Sequence, residues 1–73
     1  PIVIDPSHAT GDWKLVEAVS LAAIAAGADG LIIEVHCDPQ NALSDGAQSL
    51  KPENYASLVE KGRKIAEVIG RSL

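Results

Sequence analysis

The chain has a single cysteine, no apolar run near membrane-spanning length and no basic residue in its polar loops. Each of these absences removes a class of function. The one thiol, Cys37, cannot close an internal disulfide, which fits a reducing compartment, and the cytoplasm is the expected location. A membrane-spanning helix needs about 20 consecutive apolar residues, and no run approaches that, so no membrane partner is expected. The first residues lack a basic segment followed by an apolar one, so no secretory signal is expected in them. Six basic residues stand against ten acidic ones, for a net charge of −4. Lys14, Lys51, Lys61, Arg63, Lys64 and Arg71 all fall in or beside segments that read as helices. None lies in the loops around His8, Glu34 or Asp45. A nucleic-acid surface needs clustered positive charge, so nucleic acid is not an expected partner. There is no glycine-rich phosphate cradle, since Gly27-Ala28-Asp29-Gly30 reads as a turn. There is no Gly-x-Ser-x-Gly elbow, no low-complexity segment and no linker.

What is present is a short, regular α/β pattern. Apolar residues make up 47% of the 73, a globular composition. A chain of this length forms at most one small domain and buries only about 60% of its unfolded surface. It begins at Pro1, directly in a strand-like run, so it is expected to be the C-terminal part of a longer catalytic domain. Ile2–Asp5 reads as a short parallel strand, β-branched and continuous. Pro6–Gly11 reads as a loop. Asp12 suits the cap of a helix from Trp13 to about Ala26, with Leu15, Val19, Ala22, Ala23 and Ala26 on one apolar face. Trp13 is expected to pack at the start of that helix. Gly27 suits the left-handed position that ends it. Leu31–Val35 reads as a second strand, followed by a long loop over 36–50. Pro52 suits the first position of a last helix reaching Ile69, with Tyr55, Leu58, Val59, Gly62, Ala66 and Ile69 on one face and Gly70 as its stop.

The order is therefore βαβα, with a right-handed crossover expected. Two such strands with helices on one face leave apolar surface bare, because parallel strands are normally covered on both sides. The natural parent is a barrel of eight βα units, of which this chain supplies two. Open strand edges and a bare face also make self-association, a homo-oligomer, the expected assembly.

The chemistry gathers where the apolar runs stop. Ile2-Val3-Ile4 ends at Asp5 and opens into Pro6-Ser7-His8-Ala9-Thr10-Gly11. Leu31-Ile32-Ile33 ends at Glu34, and the loop beyond it carries Asp45. One imidazole and two carboxylates thus leave the same end of two strands, a set that suits Mn²⁺, Fe²⁺, Co²⁺ or Zn²⁺. Each residue has a plainer reading. A His in a polar loop is often only hydrogen-bonded or solvated. Glu34 closes a buried strand and needs a cation, a metal or several donors. Asp45, in Ser-Asp-Gly, equally suits a turn. Asp5 either orients His8 or caps the loop. Cys37 reads as a buried or idle thiol. His36 shares the strand parity of Glu34 and is a further candidate for the site.

Asp5-Pro6-Ser7-His8-Ala9-Thr10-Gly11, Ile33-Glu34-Val35-His36 and Ala42-Leu43-Ser44-Asp45-Gly46, with Gln48-Ser49-Leu50 behind, resemble one enzyme family over essentially the whole chain. These motifs are similar to the last two βα units of the 3-deoxy-D-arabino-heptulosonate 7-phosphate (DAHP) synthases, in the branch called type Iβ. The resemblance implies the end of a TIM (β/α)8 barrel. It implies a metal-dependent condensation of phosphoenolpyruvate with erythrose 4-phosphate, giving DAHP and phosphate at the first step of the shikimate pathway. It assigns His8, Glu34 and Asp45 as ligands of a divalent ion. The family's fourth ligand, a Cys, and its Lys-Pro-Arg-Thr phosphate clamp come from earlier strands, and Cys37 is not that ligand. The isolated chain is accordingly expected to be inactive. Two other readings compete. One is the sister 3-deoxy-D-manno-octulosonate 8-phosphate synthase, which the Asp-Pro-Ser-His and Ser-Asp-Gly-Ala-Gln-Ser wording disfavours. The other is a non-catalytic piece acting through self-association. Lys51 stands where relatives often carry a capping Asp, a substitution that weakens a helix start by roughly 1 kcal/mol.

Overall fold

Val3–Ile4 (β1) and Gly30–Leu31 (β2) pair in parallel, Val3 opposite Gly30 and Ile4 opposite Leu31. They belong to a computed structural model that describes residues 1–36 and 49–73. Cys37, Asp45 and the motif around Asp45 lie outside the described residues. The ladder is shorter than the apolar runs suggest. Its last rung joins the Ile32 N–H to the Ile4 carbonyl at 2.9 Å, because β1 gives way at Asp5 to a helix.

That helix, α1 (Pro6–Thr10), replaces the expected loop. Its cause is local. Asp5 accepts the His8 N–H at 3.0 Å as an N-cap, and Pro6 presets the first turn. Gly11, at φ 63°, supplies the left-handed exit that a side chain would resist. Five residues are too few for a 3.6-residue period to show in the sequence.

α2 (Trp13–Ala25) starts as expected, with Asp12 accepting the Lys14 N–H at 3.0 Å. It closes through Gly27, whose N–H reaches the Ile24 carbonyl while Ala28 N–H reaches that of Ala23, both at 3.0 Å. These two bonds form a Schellman end. The buried stripe, however, is Val16, Ser20 and Ile24. The expected face is partly open: Leu15 is 51% exposed and Ala22 and Ala26 are exposed. α2 is apolar on nearly every side, so its period could not select a face. The partner helix selects it. α3 (Pro52–Val68) buries Leu58, Gly62 and Ala66. A Cβ at Gly62 would stand 3.0 Å from Ile24 Cδ1 and 3.1 Å from Leu73 Cδ2, so the missing side chain is what lets both approach. Lys61 Nζ adds an ion pair to Glu17 Oε1 at 2.7 Å. Trp13, expected to pack, is 44% exposed. Lys51 is the N-cap of α3 and offers no side-chain bond, as its type implies.

Val16, Leu50 and Leu58 form the core, with Ile33 packed against them from the strand side. On the opposite side Val3 and Ile32 are more than half exposed. Among the described residues no helix is long and apolar enough to cross a membrane.

At the start of the strands an ionic knot ties three segments. Gly70 (φ 81°) turns the chain back, and the Arg71 guanidinium donates to the carbonyls of Gly27 (3.1 Å) and Ala28 (2.8 Å) and to Asp29 Oδ1 (2.7 Å). The other Asp29 oxygen accepts the Ile2 N–H at 2.7 Å. Arg71, and after it the Ile2 amide, hold the Asp29 carboxyl below the usual aspartate range.

Two outcomes follow from this packing. Folding lowers the Asp29 pKa, so its share of stability is complete above the unfolded value of about 3.9 and is lost as pH falls through the folded value. Arg71→Ala should therefore destabilise the fold at neutral pH and flatten the acid dependence below about pH 4 in circular-dichroism unfolding. An unchanged acid limb would contradict this. Ser20 is fully buried, and its Oγ has no hydrogen-bond partner among the described residues. Ser20→Ala removes a desolvated hydroxyl and inserts the best helix former, which should raise stability by about 1 kcal/mol in urea unfolding. A loss of stability would count against that assignment.

Candidate metal centre

His8 sits on the first turn of α1, and Asp5 determines its orientation. One Asp5 oxygen caps the helix at the His8 N–H, and the other meets His8 Nδ1. The two roles that the sequence left open for Asp5 are thus filled by its two oxygens. The His8 backbone amide, and then the imidazole, hold the Asp5 carboxyl below its ordinary range against some desolvation. A carboxylate on Nδ1 keeps the proton of the neutral ring there, which makes Nε2 the lone-pair nitrogen. Nε2 faces Glu34 Oε1 at 3.9 Å.

Glu34 comes from the other strand end, and its backbone is held on both sides. Its N–H donates to Ser7 Oγ at 2.9 Å. Its carbonyl accepts the Leu50 N–H at 2.8 Å, and the Leu50 carbonyl accepts the His36 N–H at 2.9 Å. Val35 and Leu50 form a parallel bridge, so Leu50 lies beside the end of the second apolar run. Ser49 and Leu50 are buried there. His36 is exposed beyond the bridge. Ser7, fully buried, is not a residue that the sequence singles out. Its only signal is a small hydroxyl placed just after a cap and a helix-starting proline.

The structure therefore brings together His8 and Glu34, from strand ends 26 residues apart along the chain. Asp45 lies outside the described residues, and among those described no three His, Cys, Asp or Glu side chains cluster for an ion. The pair itself passes the geometric test. At bond lengths of about 2.0–2.2 Å, two donors on one ion stand no farther apart than about 4.4 Å. The gap of 3.9 Å lies inside that limit. One imidazole and one carboxylate, half open to solvent, suit a first-row divalent ion.

The sequence matches the profile of the DAHP synthetase I family over residues 1–70. Over 70 residues it is 51% identical to a phospho-2-dehydro-3-deoxyheptonate aldolase of Thermotoga maritima, covering 96% of this chain and 21% of that protein. It is 40% identical over 76 residues to a 2-dehydro-3-deoxyphosphooctonate aldolase of Helicobacter pylori, covering 89% of this chain and 28% of that protein. A solved truncated form of the Thermotoga maritima 3-deoxy-D-arabino-heptulosonate 7-phosphate synthase superposes with a TM-score of 0.96 at 50% identity, over 99% of this chain and 28% of that one. The chain thus spans 21–28% of the length of these curated relatives. With a profile match over nearly its whole length and the same α/β fold as a solved synthase, the chain belongs to the DAHP synthetase I family.

Proposed function

We propose that these residues are the metal-holding part of a synthase that condenses phosphoenolpyruvate with erythrose 4-phosphate to give DAHP and phosphate. In this reading they form the last two βα units of a TIM barrel, the C-terminal part of its single catalytic domain. The observation that carries it is the approach of His8 Nε2 and Glu34 Oε1 at the C-terminal ends of two parallel strands. That is the end at which barrels of this type carry their chemistry. The exposed apolar side chains of Val3 and Ile32, opposite the helices, support a parent that covers both faces of the sheet.

His8 through Nε2, Glu34 and Asp45 are the ligands in this proposal. A divalent ion bound there supplies Lewis-acid polarisation of the sugar aldehyde oxygen. Asp5 keeps the Nδ1 proton in place and the ring turned toward Glu34. Both substrates carry phosphate, which calls for Lys or Arg clamps. Here the basic residues lie on or beside the helices, and the family resemblance has those clamps come from earlier strands. A second reading, condensation with a five-carbon sugar phosphate, draws on the 40% identity to an octulosonate enzyme. The 51% identity to the heptulosonate enzyme favours the first.

Phosphate release from phosphoenolpyruvate tests this, with erythrose 4-phosphate and arabinose 5-phosphate compared as acceptors. The isolated chain should release none. The complete polypeptide should prefer erythrose 4-phosphate, and His8→Ala or Glu34→Ala should each cost more than about a hundredfold in kcat. Turnover by the isolated chain, or full activity in both variants, would overturn the proposal.

A further inference from the structure

Among the described residues, Ser7 is the one fully buried hydroxyl that bonds across from one strand-end segment to the other. Where the parallel ladder stops at Ile32, the next inward amide is that of Glu34, and β1 has already turned into α1. Ser7 Oγ takes the place of the missing strand carbonyl, accepting that N–H at 2.9 Å across 27 positions of sequence. Ser7 also immediately precedes His8, whose ring Asp5 holds from the same helical turn. One short rigid segment therefore carries the imidazole and, through a side chain, the peptide from which the Glu34 carboxylate hangs. The next peptide group, on the other side of the Glu34 Cα, is held at its carbonyl by the Leu50 N–H.

We infer that Ser7 is a positioning residue, whose hydroxyl sets the gap between His8 Nε2 and the Glu34 carboxylate. This rests on the reading of His8 and Glu34 as ligands of one divalent cation. Without the Oγ, the Glu34 backbone keeps, among the described residues, the bond at its carbonyl, and the carboxylate is free to swing beyond the span that one ion can bridge. The knot of Arg71 and Asp29 already serves stability at the other end of the strands.

The test is Mn²⁺ binding to the complete polypeptide, followed by electron paramagnetic resonance of free and bound ion. Ser7→Ala should weaken Mn²⁺ binding by about 10- to 100-fold, the usual cost of losing a group that orients a ligand, and should broaden the bound-ion spectrum. Arg71→Ala, at the far end, should bind with wild-type affinity and line shape. Should Ser7→Ala fail to fold, Ser7→Cys, slightly larger and a weaker acceptor, should show an intermediate loss. Wild-type affinity and spectrum in the folded variant would overturn the role of Ser7. His8→Ala and Glu34→Ala separate the two levels. If they abolish binding while the Ser7 variants do not, only the positioning role fails. If they leave binding intact, the metal reading fails with it.

Discussion

The peptide of Glu34 is the point at which the two strand-end segments meet. Its N–H goes to Ser7 and its carbonyl to Leu50, so neither flank of the residue is left to a free loop. A carboxylate at the end of an apolar strand would otherwise move with a flexible backbone. Here the same two bonds bring the imidazole segment and Leu50 together around it. His8 and Glu34 approach to 3.9 Å, too far for a direct hydrogen bond, so their side chains do not hold one another in place.

The opposite end of the strands works differently. There Arg71, Asp29 and the Ile2 amide close the turn after α2 onto the start of β1 with charge-assisted hydrogen bonds. None of these groups is placed to act on a substrate at the strand ends. The molecule thus divides its polar interactions by position. Those at the N-terminal ends of the strands hold the helices to the sheet, and those at the C-terminal ends tie the segment of Asp5, Ser7 and His8 to Glu34. The packed layer of Val16, Leu50, Leu58 and Ile33 lies between the helices and the strands and connects the two ends.

Much of this was legible in the sequence, for local reasons. Asp12, Gly27, Pro52 and Gly70 act within a turn of where they stand, and all of them cap, start or stop a helix as read. The acid that stops each apolar run, with the loop opening behind it, placed His8 and Glu34 at the same end of the two strands. What escaped the sequence depends on partners. The buried stripe of α2 follows from α3 rather than from the period of α2 itself, and Ser20 would not be chosen as a core residue by type. The helix over Pro6–Thr10 is too short to show a period, although its cap, its proline and its terminal glycine were all in view. Ser7 is legible only once Glu34 has been set beside it.

The most direct measurement is anomalous scattering from crystals of the complete polypeptide soaked with Mn²⁺, at energies on both sides of the metal edge. The expected result is one peak within about 2.0–2.3 Å of His8 Nε2 and of carboxylate oxygens from Glu34 and Asp45. A peak bound elsewhere, with these three side chains turned apart, would contradict it.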